Sequence, residues 1–120
     1  MKITPVENKV FGAVVTDVAL GSLSDDDFAK IEAAFLEYGF LVFPEQFLSN
    51  EDSIAFGKRF GELEFAATSV LSNQDVNEDG SRGEVLDINS QRMRMIIGNE
   101  AWHTDSTYKP FSSKCDMLSA

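Results

Sequence analysis

The spacing of apolar residues changes several times along the chain, and each change marks an element. β-Branched and aliphatic residues crowd Lys9–Leu20, "KVFGAVVTDVAL", which predicts one or two short strands. The next stretch, "LSDDDFAKIEAAFLEYGF", switches to three- and four-residue spacing. Phe28, Ile31, Phe35 and Tyr38 then share one helical face. Ser24 is a good N-cap, and Asp25, Asp26 and Asp27 put negative charge in the first turn, where the helix dipole favours it. Gly39 is the expected stop. Core packing is the reading of these aromatics. "FLVFP" (Phe40–Pro44) is wholly apolar and reads as a buried strand ended by proline. "LSNEDSIAFGKRFGELE" reads as a second helix, capped by Ser49 or Asn50, with Ile54, Phe56 and Phe60 inward and Gly61 at its end.

The second half is less periodic. Leu71–Glu84, "LSNQDVNEDGSRGE", is polar and turn-rich and reads as a loop, long enough to carry function. Val85–Ile88 is a strand candidate, "RMRMIIGN" alternates arginines, and "CDMLSA" at the end reads as a strand. An apolar strand ending at Ala120 without a cap or turn carries the expectation of an interrupted fold. There is no internal repeat or low-complexity tract.

Charge then narrows the partners. Asp and Glu number 20 against 10 Lys and Arg, for a net charge of −10 over 120 residues. Nucleic acid and anionic membrane surfaces both need a basic face, so neither is an expected partner. No apolar run approaches the ~20 residues of a membrane span, and "MKITPVENKVFG" lacks a signal peptide's apolar core. The single cysteine, Cys115, forms no internal disulfide and reads as a small buried residue. The expectation is one domain in a reducing cytoplasm, with a homo-oligomer left open.

Two stretches have metal-ligand spacing. Asp75, Asn77, Asp79 and Gly80 match the opening of a calcium loop, but its twelfth position, where a bidentate glutamate belongs, is Leu86. A solvated polar turn is the better reading. His103-Thr104-Asp105 contains the only histidine of the chain. Residues i and i+2 of a strand point the same way, so imidazole and carboxylate can grip one ion. They would be two ligands of the 2-His-1-carboxylate facial triad. On those three residues alone, an ordinary hydrogen-bonded surface pair is favoured.

The surroundings change that balance. "GNEAWHTDSTYKP" resembles the iron-binding stretch of the taurine/2,4-dichlorophenoxyacetate dioxygenase (TauD/TfdA) family of Fe(II)- and 2-oxoglutarate-dependent oxygenases. "FGAVVTDVAL" resembles the family's opening strands, "YGFLVFPEQFLS" its first long strand and turn, and "FGKRFGELE" its second helix. The resemblance spans nearly the whole chain, in family order, and is closest to the 2,4-dichlorophenoxyacetate branch.

The resemblance implies an α+β chain forming the N-terminal part of a double-stranded β-helix, or jelly roll, with flanking helices. It implies His103 and Asp105 as ligands of Fe(II), with 2-oxoglutarate and O2 as co-substrates. It places Asn99 on the substrate side, packs Trp102 against the roll, and makes the segment after Glu64 a cover over the substrate. The family's second metal-binding histidine and its 2-oxoglutarate-binding arginine have no counterpart among these residues. The expected activity is hydroxylation of a small organic acid, an anion for which Arg92, Arg94 and Lys109 are local cation candidates. The competing readings are a truncated non-catalytic remnant or binding module that retains half of the fold, and a metal-holding jelly roll without turnover.

Overall fold

The computed structural model describes residues 1–64, 72–106 and 108–119. It divides into two compact units, Met1–Thr68 with Lys114–Ala120, and Ser69–Ser113.

The first unit is built on a three-stranded sheet of order β1-β2-β3, with β1 Lys2–Pro5, β2 Ala13–Thr16 and β3 Leu41–Val42. β1 and β2 are antiparallel, from Lys2↔Thr16 to Pro5↔Ala13. β2 and β3 are parallel, with Ala13 opposite Leu41. A parallel pair needs a crossover, and α1, Asp25–Tyr38, supplies it. β2 alternates as a one-faced strand should: Ala13 and Val15 are buried while Val14 is half-buried and Thr16 exposed.

α1 starts and stops where the sequence predicts. The Ser24 hydroxyl accepts the Asp27 amide at 3.1 Å, and the Gly39 amide donates to the Phe35 carbonyl at 2.8 Å. Gly39 has φ +70° and no atom near enough to crowd a Cβ. Gly39→Ala therefore isolates the backbone term, and equilibrium unfolding should show a loss of about 1 kcal/mol. Past Gly39, the Gly12 amide donates to Tyr38 O and the Ala13 amide to Phe40 O, which delivers the chain to the sheet.

α2, Asn50–Lys58, is capped by Ser49, whose hydroxyl accepts the Asp52 amide. Leu20, Ile31 and Phe56 form the buried cluster, with Phe28, Leu41, Phe43 and Phe60 packed around it. Phe56 meets Phe28, Phe43 and Phe60 edge-to-face. Gln46 closes the loop below: its side chain accepts from Leu20 N and donates to Val18 O.

The second unit holds a two-stranded antiparallel hairpin, β4 Gln74–Val76 and β5 Arg82–Val85, then α3, Gln91–Asn99. Its buried residue, among those described, is Ser106 and not an apolar side chain.

Several expectations need correction. β1 was not foreseen, because Lys2, Thr4 and Pro5 read as polar or strand-breaking; on an edge strand they are acceptable. The buried strand expected at Phe40–Pro44 is two residues long, half-buried at Leu41 and exposed at Val42. The described part of the Leu71–Glu84 loop is the β4–β5 hairpin, with Asp79-Gly80 in its turn, and Leu71 itself lies outside the described residues. Of Val85–Ile88, only Val85 is in a strand. The described residues of "CDMLSA" are irregular; Lys114 ties that segment to α1 through Glu32 at 2.5 Å. A complete jelly roll is not present among the described residues; what they form is α+β, with two small sheets and three α-helices.

Candidate metal centre

α3 leads into the site. Ser90 caps it, its hydroxyl accepting the Met93 amide at 3.1 Å, and the Glu100 amide closes its end on Ile97 O at 3.1 Å. Residues 101–106 then run as bends and a turn, not as a strand. Ser106 is buried in the left-handed region with φ +56°, and the Lys109 amide donates to its carbonyl.

The bent backbone still brings the two expected donors together. His103 Nδ1 lies 2.7 Å from the Ala101 carbonyl oxygen, and His103 Nε2 lies 3.1 Å from Asp105 Oδ1. A carbonyl only accepts, so Nδ1 carries hydrogen. In the neutral ring Nε2 then presents a lone pair to a carboxylate oxygen. Two acceptors at that distance need a proton or a cation between them. The imidazole pKa is shifted upward: the Ala101 carbonyl raises it, desolvation opposes, and the Asp105 carboxylate adds to the rise.

A cation fits the same gap. Metal–ligand bonds of about 2.1 Å at a right angle place two donors about 3.0 Å apart. A backbone carbonyl on Nδ1 is also the usual orienting partner of a metal-bound histidine. Both side chains are about half exposed, which leaves the outer face of the pair open. Among the described residues no group of three His, Cys, Asp or Glu side chains converges.

The other expected site residues are placed less closely. Asn99 is the last residue of α3 and is exposed. Trp102 is fully exposed rather than packed against a roll, because the irregular backbone around it offers no sheet face for the indole. Arg92 is taken up by Asp75 at 2.6 Å, Arg94 is exposed, and Lys109 Nζ stands 5.9 Å from the Tyr108 ring centroid. Cys115 is half-buried, and burial pushes its thiol pKa up, away from a reactive thiolate. Residues 65–71, part of the expected substrate cover, lie outside the described residues. Arg82, which the sequence did not single out, is among the residues that line a shallow cleft in the hairpin. Only the pairing of β4 with β5 creates that cleft, so no local signal announced it.

The calcium-loop resemblance dissolves in the hairpin. Asp75 pairs with Arg92, the Asn77 amide donates to Ser81 Oγ at 2.9 Å, and Asp79 accepts from both Ser81 N and Ser81 Oγ. Asp79 is thus engaged within its own turn and Asp75 by an arginine of α3. Calorimetric titration with Ca2+ should show no binding tighter than about 1 mM.

Comparison with known proteins decides the family. The family model described as "Taurine catabolism dioxygenase TauD, TfdA family" matches residues 2–120. The chain belongs to the TauD/TfdA family. An (S)-phenoxypropionate/alpha-ketoglutarate-dioxygenase of Sphingobium herbicidovorans is 44% identical over 118 residues, 98% of this chain and 39% of that protein. One of the same name from Delftia acidovorans is 38% identical over all of this chain and 41% of that protein. An alpha-ketoglutarate-dependent 2,4-dichlorophenoxyacetate dioxygenase of Cupriavidus pinatubonensis is 29% identical over 92% of this chain and 42% of its own length. The crystal structure described as AAD-2 in complex with Mn(II) and N-oxalylglycine superposes with a TM-score of 0.81 at 28% identity, covering 94% of this chain and 40% of that one. This TauD/TfdA chain thus spans about two fifths of the length of these relatives.

Proposed function

We propose that His103 and Asp105 supply two of the three protein ligands to Fe(II) in a 2-oxoglutarate-dependent dioxygenase that hydroxylates a small carboxylate, an aryloxyalkanoate in particular. The observation that carries the reading is the facing pair, His103 Nε2 and Asp105 Oδ1, with Nδ1 fixed on Ala101 O. The substrate class is supported by relatives named for phenoxypropionate and 2,4-dichlorophenoxyacetate. His103 is the single histidine of these 120 residues, so the second histidine of a facial triad comes from outside them.

Fe(II) bound there would supply the oxidising chemistry that couples 2-oxoglutarate and O2 to hydroxylated product, succinate and CO2. The protein's own contribution is placement. The Ala101 carbonyl holds the imidazole in one tautomer and one orientation, so Nε2 needs no rearrangement to bind. Asp105 adds a negative charge that offsets the ion's. Ser106, left-handed and buried directly after Asp105, sets where the chain turns away. Asn99, four residues before His103 at the end of α3, is assigned to the substrate side of the pair.

The test is succinate formation by the intact enzyme with Fe(II), 2-oxoglutarate and a panel of small molecules. Phenoxyalkanoates should stimulate it, at rates of about 1 per second or more. Stimulation by neutral or cationic compounds alone would overturn the substrate class.

A further inference from the structure

Asp79-Gly80 is the one place in these 120 residues where glycine follows an aspartate or an asparagine. That dipeptide carries a chemistry of its own. The amide nitrogen of the second residue can attack the side-chain carboxyl of the first, and glycine has no Cβ to shield that nitrogen. The pair lies exposed in the turn between β4 and β5, and nothing stands within 4 Å of the place a Cβ on Gly80 would take. Water therefore reaches both reacting groups.

The folded turn opposes the reaction in two ways. The Gly80 amide donates to Asn77 O at 2.9 Å, a bond that must open before the nitrogen can attack. Asp79 Oδ1 accepts from Ser81 Oγ at 2.6 Å and from Ser81 N at 2.9 Å. Asn77 Nδ2 donates to Ser81 Oγ at 2.9 Å, so the hydroxyl's own hydrogen is turned to Asp79. Both Ser81 bonds favour the carboxylate and hold the Asp79 pKa below its ordinary value, the hydroxyl most of all. Only the neutral acid can react, because its hydroxyl can leave as water.

We propose that Asp79 is a site of spontaneous isomerisation to isoaspartate, and that the Ser81 hydroxyl slows it in the folded turn. In the first step the Gly80 nitrogen bonds to Asp79 Cγ and the C–OH bond of the carboxyl breaks. The hydroxyl leaves with the amide hydrogen as water, and a succinimide ring remains. Water then adds back to the ring. Cleavage between the nitrogen and Cγ returns aspartate. Cleavage between the nitrogen and the Asp79 main-chain carbonyl carbon gives isoaspartate, in which the main chain runs through Cβ and Cγ. One water leaves and one returns, with no oxidant or other reactant. The turn between the paired Val76 and Arg82 gains one main-chain carbon.

The test is to age the intact protein at mildly acidic pH in water enriched in heavy oxygen, then digest it and map the peptides by mass spectrometry that separates isoaspartate from aspartate. Isoaspartate should accumulate at residue 79 and carry one heavy oxygen. Ser81→Ala should accumulate it about 10-fold faster, as expected for losing a hydrogen bond to a charged group. In denaturant the two chains should react at one common rate, which ties the difference to the folded turn. Folded Ser81→Ala should stay below that common rate, because its Gly80 amide is still bonded to Asn77. Asp79→Glu, whose larger ring closes far more slowly, is the blank. A folded wild type without isoaspartate at residue 79 overturns the proposal. So does a Ser81→Ala protein that reacts no faster than wild type, or as fast folded as unfolded, and so does a difference that survives in denaturant.

Discussion

His103→Ala in the intact enzyme should lose 2-oxoglutarate-dependent turnover almost completely. Removing an outer partner of a metal ligand costs about 10- to 100-fold, and removing the ligand itself should exceed about 100-fold. The geometry says why no neighbour can substitute. Nε2 is the only imidazole nitrogen of these residues facing Asp105, and no third His, Cys, Asp or Glu converges on the pair among the described residues. The loss should appear in kcat and in iron content together, with the unfolding midpoint little changed, because both side chains are half exposed. Succinate production measured beside bound iron checks this; a variant with full turnover refutes the ligand assignment.

Phe56→Ala should be the most damaging single change to the fold. Phe56 is 5% exposed and touches three other rings edge-to-face at centroid distances of 5.4–6.5 Å. Truncating a buried phenylalanine costs about 3–5 kcal/mol, from lost burial and from the cavity left behind. A domain's whole stability is about 5–15 kcal/mol, so this one change removes a large share of it. Leu36→Ala is the control: on the outer side of α1 and 72% exposed, it should change stability by less than about 0.5 kcal/mol. Denaturant unfolding followed by circular dichroism separates the two; equal effects would place the core wrongly.

The helices of the first unit were legible because their signals are local. Ser24 and Gly39 bracket α1, and the Phe28–Ile31–Phe35–Tyr38 spacing names its buried face. Ser49 marks the start of α2 in the same way. The second unit was illegible because its strands are short and polar. "QDV" and "RGEV" show no alternation to distinguish them from a loop, and the pairing that makes them strands lies across Asp79-Gly80. The end of the chain misled for the opposite reason. "CDMLSA" has strand composition, but strands form only against a partner, and its described residues have none.

The candidate site divides the same way. His103 and Asp105 were singled out by their i, i+2 spacing together with the family resemblance of the stretch around them, and His103 Nε2 and Asp105 Oδ1 do approach each other. They meet through a bend closed by Ser106 rather than along a strand. Residue type and spacing fixed which groups could share an ion. The backbone path that lets them was a matter of Ala101 O and the left-handed Ser106, neither of which has a sequence signature. Trp102 shows the limit of composition: a tryptophan beside a site is expected to pack, and this one is exposed.

Anaerobic titration of the intact enzyme with Fe(II), alongside His103→Ala and Asp105→Ala, tests the metal assignment most directly. The wild type should bind one iron per chain, and each substitution should weaken that binding by more than about 100-fold. Unchanged iron affinity in either variant would contradict it.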